Sequence, residues 1–330
     1  MSPPSKKIGV LSEMFPPKPT WTSADVPSMK GRVVIVTGGN AGIGKETCRV
    51  LLNNGAKVYL AARSESKANE AIRELEEKTG KKAIFLRLDL ADLPSVRKAA
   101  EDFLSKEQQL HVLFNNGGVM GPPLGDLTAQ GYDAQFGINV LGHFFFTKLL
   151  IPVLLSTAKG NPNGTPCKVR VITTSSNGHD LLALPGGINW DTLQKGDVAL
   201  PARKQVNEQG LYGQSKLGNI LISNELAKRY GDQGIVAISL HPGSVKTDLQ
   251  RYLTGSFIKW LMGVIVNLLV YDVSLGAITQ LYAGTSPEAE NMNGEYLTSW
   301  ARPQIPHKNA TDPVLREKLW SWCEEQVKGF

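Results

Sequence analysis

Cysteine is scarce in this chain. The 330 residues include only three, Cys48, Cys167 and Cys323. An odd number at wide spacings predicts neither a disulfide framework nor a zinc site, and it is typical of a reducing compartment. The five histidines are also scattered and show no metal-ligand spacing. We therefore expect a cytoplasmic protein without a metal ion.

Long apolar runs are also missing. The most apolar stretch, residues 257–270, is shorter than the ~20 residues of a membrane-spanning helix, and it contains Lys259 and Asn267. The N-terminus lacks the charged start and apolar core of a signal peptide. We predict no membrane span. For 257–270 the alternatives are a pocket wall, a subunit interface and peripheral contact with a membrane surface.

Charge of one sign is limited. The formal net charge is +6, from 36 Lys and Arg against 30 Asp and Glu, and it is spread along the chain. Without a dense basic stripe, nucleic acid is not an expected partner, whereas a mild positive charge suits an anionic small ligand. A Gly-x-Ser-x-Gly motif is absent as well, so nothing points to a hydrolase of that type.

What the chain does contain is an alternation of apolar runs of strand length with longer amphipathic segments. The predicted strands are 32–37, 57–62, 83–89, 112–115, 168–174, 236–241 and 294–297. The predicted helices are 43–53, 66–79, 93–105, 128–155, 212–230 and 312–327. Strands that alternate with helices pair in parallel through right-handed crossovers. We predict an α/β fold of one domain, a doubly wound parallel sheet (Rossmann fold) with helices on both faces.

Two segments stand apart from this pattern. Residues 1–30 are rich in Pro and Ser and predict an N-terminal arm, either loose or draped over a domain that spans 31–330. Residues 249–272 follow the sixth strand and include the apolar stretch. We expect this second segment to cover a bound substrate.

The first strand ends in a glycine-rich turn, Thr-Gly-Gly-Asn-Ala-Gly-Ile-Gly, that leads into a helix. Without side chains at its glycines, the backbone can approach a pyrophosphate at the helix N-terminus, where free N–H groups favour an anion. Because the turn joins a strand to a helix, it predicts a dinucleotide site and not merely a tight turn. The cofactor-binding residues assigned to it are Gly38, Asn40, Gly42, Ile43 and Gly44.

The end of the second strand selects between the two nicotinamide cofactors. NAD sites place an acidic residue there for the ribose 2′-hydroxyl, but here Ala62 stands at that position, and Arg63 and Ser64 follow. A guanidinium pairs with a 2′-phosphate, which a carboxylate would repel. We therefore predict NADP(H), bound by Arg63 and Ser64. An ordinary solvated charge is the alternative for Arg63.

Tyr212 and Lys216 have the four-residue spacing that places two side chains on one helix face. A phenol has a pKa near 10, and we expect Lys216 and a nicotinamide ring to lower the pKa of Tyr212. Tyr212 could then exchange a proton with a carbonyl or alcohol oxygen, and a hydroxyl at the end of the fifth strand, where Ser175 and Ser176 stand, could hold that oxygen. Asn139 lies in an apolar helix and needs a fixed hydrogen-bond partner.

The ordered set Thr-Gly-x-x-x-Gly-Ile-Gly, Asn-Asn-x-Gly, Asn, Ser, Tyr-x-x-x-Lys and Pro-Gly resembles the short-chain dehydrogenase/reductases over about residues 31–297. The stretches after Gly44 and around Ser176 are similar to the retinol dehydrogenase and WW-domain oxidoreductase branch, whose members favour NADP(H). The resemblance implies an oxidoreductase in which Asn139 anchors a water that leads to Lys216, and Lys216 holds the nicotinamide ribose. The implied catalytic tetrad is Asn139, Ser176, Tyr212 and Lys216.

The resemblance also implies further contacts with the cofactor. Asp89 is similar to the aspartate that holds the adenine amino group, Asn115 and Gly117 would line the adenosine side, and Pro242 with Thr247 the nicotinamide side. Beyond the glycine turn and the Arg63 pair, the implied cofactor residues are Asp89, Leu90, Asn115, Asn116, Gly117, Tyr212, Lys216, Pro242, Gly243, Val245 and Thr247.

Apolar residues in 257–270 indicate a lipophilic or aromatic aldehyde, ketone or alcohol as the small-molecule substrate. The 36 positions that separate Ser176 from Tyr212, a long interval for the family, are expected to shape its pocket. A homodimer through the long helices is left open. The rival functions are an NADPH-binding regulatory protein, which would be expected to lack the tyrosine or lysine, and a double-bond reductase, which would be expected to carry cysteines near the pocket.

Overall fold

A single sheet organises the computed structural model, which describes residues 8–9, 12–13, 15–160, 167–245 and 271–330. Its strands are β1 Val33–Thr37, β2 Lys57–Ala62, β3 Ile84–Arg87, β4 Val112–Asn115, β5 Val169–Thr174, β6 Ile235–Leu240, β7 Tyr296–Thr298 and β8 Arg302–Pro303. Their order is β3-β2-β1-β4-β5-β6-β7-β8. All neighbours pair in parallel except β7 and β8. The predicted doubly wound sheet is confirmed; the two-residue β8 was not predicted, because it is too short to show a pattern.

The sheet is buried on both faces, as its continuous apolar strands require. Along β1, Val33 and Ile35 join the core on one side, whereas Val34 and Val36 join the core on the other. Alternate side chains of a strand point to opposite faces, so one strand contributes to two cores. This leaves the ends of the strands as the place for polar chemistry.

Helices cover both faces of the sheet. They are α1 Gly42–Asn53, α2 Glu65–Thr79, α3 Leu93–Leu104, α4 Ala134–Ala158, α5 Gly178–Leu181, α6 Leu200–Tyr230, α7 Val273–Thr285 and α8 Pro313–Gln326. Gly80 ends α2 in the left-handed conformation, with φ +65°, which is the capping role that glycine performs without steric cost.

Two helix starts differ from the prediction by more than one residue. Helix α4 begins at Ala134 and not at 128, because Leu127 and Asp133 form an antiparallel bridge and the Asp133 carboxylate accepts the N–H of Phe136 at 2.8 Å. Helix α6 begins at Leu200, well before Tyr212, and is broken at Asn207, where φ is 62°. The residues before Tyr212 are mostly polar and show little apolar periodicity. Periodicity therefore did not predict the part of α6 that precedes Tyr212.

Helix α4 contains a feature that periodicity did not predict. Residues Gly137–Gly142 form a π-helical turn, and Asn139 lies within it. Within the described ranges, α4 is also the one helix long and apolar enough to cross a membrane, but 72% of its most apolar window is buried inside the protein. That burial is typical of a core helix.

The described part of the N-terminal arm lies against the domain. Ile8 donates its N–H to Gln304 Oε1 at 2.6 Å, and Trp21 packs edge-on against Tyr282. These two contacts connect Ile8 and Trp21 to the rest of the described structure. Residues 246–270 lie outside the described ranges, and with them Thr247, the apolar stretch 257–270 and most of the predicted covering segment 249–272.

Candidate active site

A cleft of 630 Å³ opens at the carboxyl ends of the central strands. It lies where the strand order reverses between β1 and β4, the position at which doubly wound sheets bind ligands. Most of the predicted site residues meet there. Those that line the cleft are Gly38, Asn40, Gly42, Ile43, Gly44, Arg63, Ser64, Asn116, Gly117, Ser176, Tyr212, Lys216, Pro242, Gly243 and Val245.

Four other predicted residues do not line the cleft. The Asn115 amide is buried and donates to Thr147 Oγ1 at 2.9 Å, so its side chain points into the core. Asp89 accepts the N–H of Ala91 at 3.0 Å. Leu90 packs beside Gly117, and Asn139 is buried behind the cleft. Asn115 thus directly precedes Asn116, which lines the cleft, but the side chain of Asn115 faces the core and not the predicted cofactor site.

The glycine turn depends on missing side chains. A Cβ on Gly44 would lie 2.4 Å from the carbonyl oxygen of Gly38, and one on Gly38 would lie 2.9 Å from Gly117 Cα. Gly38 also has a φ of +66°, which other residues rarely adopt. Helix α1 begins here behind Ala41, which has no side-chain group to cap the helix. Its first N–H groups are available to an anion in the cleft.

Basic side chains gather beside the end of β2. Arg63 lines the cleft together with Lys45 and Lys67, two residues not among the predicted binding set. Lys45 forms an ion pair with Glu74 at 2.6 Å. Ser64 is partly occupied as the N-cap of α2, where its Oγ accepts the N–H of Lys67. Both lysines lie in the first turn of a helix that starts at the cleft, and this position is the signal that could have identified them.

The catalytic candidates come from β5 and α6. Ser176 Oγ accepts the N–H of Gly178 at 3.1 Å, beside the ring of Tyr212. Lys216 Nζ donates to the carbonyl of Thr174 at 3.1 Å and lies 5.7 Å from the centroid of the Tyr212 ring. The neighbouring Ser175 instead donates its hydroxyl to the Lys216 carbonyl at 2.7 Å. That bond is buried and structural, whereas Ser176 Oγ lines the cleft, within reach of a ligand, and in this structure donates to Asn177 Oδ1 at 3.3 Å.

Burial determines the charge of this pair. It raises the pKa of Tyr212 to about 12, although a hydrogen bond with the Ser176 side chain lowers it in part. It also lowers the pKa of Lys216 to about 8. In the protein without cofactor, burial acts against the expected lowering of the Tyr212 pKa, because removing water disfavours the charged form of each group.

Asn139 has the fixed partners that its position requires. Its Oδ1 accepts the N–H of Val119 at 2.9 Å, and its Nδ2 donates to the carbonyl of Val119 and to Ser215 Oγ, each at 3.0 Å. Asn139 and Lys216 flank Gly118, where a Cβ would lie 2.9 Å from Oδ1 of the first and 3.6 Å from Nζ of the second. The side chain of Asn139, in the π-helical turn, thus holds the backbone at Val119 by two hydrogen bonds, beside Lys216.

The long interval between Ser176 and Tyr212 is anchored to α6. Gln214 accepts the N–H of Asn189 at 3.1 Å and donates to Thr192 Oγ1 at 2.8 Å. The buried Arg203 donates to the carbonyls of residues 192, 194 and 196. Further cleft residues that sequence reasoning missed are Met120, Asn177, His241 and Ser244.

Fold and cleft together define a nucleotide-binding α/β protein of the Rossmann type. The family model for short chain dehydrogenases matches residues 32–178. A short-chain dehydrogenase/reductase of Armillaria gallica is 54% identical over 322 residues, 97% of this chain and 98% of its own. Retinol dehydrogenase 11 of Mus musculus is 37% identical over 293 residues, 88% of this chain and 85% of its own.

Solved structures show the same fold. An uncharacterized protein from Mycobacterium Paratuberculosis superposes with a TM-score of 0.69 at 30% identity, covering 93% of this chain and 97% of that one. A short chain dehydrogenase from Burkholderia cenocepacia J2315, solved in complex with NADP, superposes with a TM-score of 0.60 at 24% identity. The match covers 83% of this chain and 98% of that one. The chain belongs to the short-chain dehydrogenase/reductase family of oxidoreductases, in its retinol dehydrogenase-like branch.

Proposed function

We propose that this protein is an NADP(H)-dependent oxidoreductase that transfers a hydride between nicotinamide and the carbonyl or alcohol carbon of a lipophilic or aromatic aldehyde, ketone or alcohol. The observation that carries the proposal is the shared cleft: Tyr212, Lys216 and Ser176 line the same cavity as the glycine turn. The backbone that would bind the cofactor phosphates and the side chains that would transfer the proton therefore face the same cavity, where cofactor and substrate would bind side by side.

The residues of the chain divide the work of proton transfer. In reduction, Ser176 donates a hydrogen bond to the carbonyl oxygen and Tyr212 donates its proton to that oxygen; in oxidation Tyr212 takes the proton back. A buried phenol with a raised pKa is protonated at neutral pH, which suits the donor role. Lys216 binds the ribose and stabilises the phenolate that forms. When bound, the nicotinamide cofactor supplies or accepts the hydride.

Two features support NADP(H) over NAD(H). Arg63 and Lys67 provide positive charge where the ribose 2′-phosphate would lie. Strand β2 ends in Ala62, so no carboxylate stands at its end to bind a free 2′-hydroxyl. Two carboxylates, Glu70 and Glu74, also line the cleft, and the ion pair with Lys45 matches the charge of Glu74.

The rival functions have less support. A regulatory protein would not need both Tyr212 and Lys216 in the cleft. For a double-bond reductase we expected nearby cysteines, yet in the described part of the chain no cysteine lines the cleft, and Cys48 and Cys323 are buried in the cores. We further propose the arm 1–30, the domain 31–330 and its covering segment 249–272, with a cytoplasmic location. Contact with a membrane surface and a homodimer are kept as alternatives.

The proposal is tested by titrating the protein with NADPH and NADH, then following NADPH oxidation with a panel of lipophilic aldehydes and ketones. We expect tighter binding of NADPH and turnover on one of these classes. Tight binding without turnover on any of them would favour the regulatory reading. Failure to bind either cofactor would overturn the proposal.

A further inference from the structure

His143 lies in the core behind the catalytic side chains, and the function proposed above assigns it no part. It follows the π-helical turn of α4 and is buried. Its Nδ1 lies 3.1 Å from the carbonyl oxygen of Asn139, and its Nε2 lies 2.8 Å from the hydroxyl of Thr37. The imidazole therefore bridges the end of β1 and the helix that carries Asn139.

Four polar groups lie within hydrogen-bond distance of the hydroxyl of Thr37. It accepts the backbone N–H groups of Asn116 and Gly117, each at 2.9 Å. These two bonds use both of its lone pairs. Its single proton has two acceptors within reach, His143 Nε2 at 2.8 Å and the Phe114 carbonyl at 3.2 Å. The nearer acceptor is the imidazole.

The donors and acceptors around the ring admit one protonation state. A backbone carbonyl can only accept, so Nδ1 carries a proton and donates it to Asn139. A second proton on Nε2 would point at a hydroxyl whose lone pairs are both taken. Nε2 is therefore an acceptor, and Thr37 donates to it. The pKa of His143, lowered to about 4 by burial and by the charge of Lys216, agrees with a neutral ring.

The chain of bonds closes around one short turn. Residues 116–119 are held at their start by Thr37 and at their end by Asn139, which clamps both backbone groups of Val119. The ring of His143 connects these two sets of bonds, because it lies between the Thr37 hydroxyl and the carbonyl of Asn139. In the π-helical turn, the backbone N–H of His143 bonds to Val140, so the ring supplies a donor to the carbonyl of Asn139. π-Helical turns are frequent at functional sites.

We infer that His143 is a positioning residue: its neutral Nδ1–H form locks Thr37 to Asn139 and so fixes the 116–119 turn against the cofactor cleft. The inference rests on the proposed function only in that this turn is taken to contact the bound cofactor. His143 itself does not line the described cleft.

The chain offers a matched control at the other end of β1. His111 is also buried, and burial likewise lowers its pKa to about 4. Its Nδ1 accepts the N–H of Val33 at 3.0 Å, at the edge of the sheet opposite the cleft. Replacing it disturbs the same strand without touching the 116–119 turn.

The first experiment compares His143→Leu, His143→Gln and His111→Leu by NADPH affinity, kcat and melting temperature. We expect His143→Leu to weaken NADPH binding and lower kcat about tenfold or more, as the loss of buried hydrogen bonds to a binding turn implies. His143→Gln, whose amide can donate and accept at the same two places, should recover to within about threefold. His111→Leu should change both quantities less than about twofold while lowering the melting temperature comparably.

Two results would overturn the inference: equal losses of binding and turnover in the two leucine variants, or a glutamine variant no better than His143→Leu. If no substrate is ever turned over, the proposed function fails, but NADPH affinity still tests the role of His143.

The second experiment needs no folded variant of His143. In ¹⁵N-histidine NMR of the wild-type protein, one ring should show the neutral Nδ1–H form and should not titrate between about pH 5.5 and 8, unlike a free imidazole with its pKa near 6.5. Variants of the other histidines assign the signal by elimination. An Nε2–H form, or titration near pH 6.5, would contradict the inference.

Discussion

The two halves of the cleft are built in different ways. The nucleotide half comes mainly from one continuous stretch, residues 38–44, whose backbone and helix N-terminus form the binding surface. The catalytic half combines side chains from distant parts of the chain, namely Ser176 and the pair on α6, with Asn139 buried behind them. The first half is specified by neighbouring residues, and the second by how α4 and α6 pack against the sheet. Substitutions in the two halves should therefore change different measurements.

The sharpest separation should come from Tyr212→Phe. The variant keeps the ring in its place but removes the transferred proton, so kcat should fall by about 10²–10⁴. The affinity for NADPH should change by less than about twofold, because the nucleotide half is untouched. Stopped-flow rates and fluorescence titration measure the two effects. A near-normal rate would remove Tyr212 from proton transfer.

The adjacent serines provide a matched pair within the catalytic half. Ser176→Ala should lower kcat by about 10–10²-fold, since it removes a donor to the substrate oxygen. Ser175→Ala removes the bond to the Lys216 carbonyl and should cost about 1 kcal/mol of unfolding free energy, with a smaller effect on kcat. Kinetics and urea unfolding distinguish the two. The reverse order of kcat losses would assign the substrate contact to Ser175.

The nucleotide half should respond to Arg63→Ala. Loss of a charged contact to the 2′-phosphate should raise the Kd for NADPH about 10-fold or more and leave that for NADH within about twofold. Arg73→Ala is the control, since this side chain on α2 is 72% exposed and pairs with Glu77. Equal losses for both cofactors would show that Arg63 does not recognise the phosphate.

The smallest expected effect concerns stability and pH. The pKa of Lys216 is about 8 in the folded protein, below its ordinary value of 10.5. Between these values the unfolded chain binds more protons, so this group makes the protein more stable as pH rises from about 8 to 10.5. Lys216→Met should therefore raise the melting temperature at pH 7, and the gain should shrink at pH 10. A destabilised variant at pH 7 would contradict the burial argument.

Much of the fold could be read from periodicity. Strands β2 and β4 have the predicted bounds, and the other predicted strands differ by one to three residues at their ends, because apolar runs buried on both faces contrast strongly with the turns around them. The starts of α4 and α6 could not be predicted in the same way. Each depends on a distant or non-periodic feature: the bridge before Ala134 and the polar helix before Asn207.

The candidate site shows the same division. The glycine turn, Arg63 and the Tyr212–Lys216 spacing are local patterns, and the structure places all of them on one cleft. Lys45 and Lys67 were missed as site residues although each lies in the first turn of a helix that starts at the cleft, and the contacts of His143 arise only from packing across the fold. The orientation of Asn115 was missed for the same reason, since a strand end allows its side chain to face either the cleft or the core.

The sequence by itself determined the family, the doubly wound sheet and the chemistry available at its edge, because these follow from short-range patterns of apolar residues, glycines and spacing. Only the tertiary structure decided which side chains share the cleft, the burial that raises the pKa of Tyr212 and lowers that of Lys216, and the hydrogen-bond path around residues 116–119. Burial and hydrogen-bond partners arise from segments that are far apart in the chain, and these two quantities set the charge and orientation of a polar group.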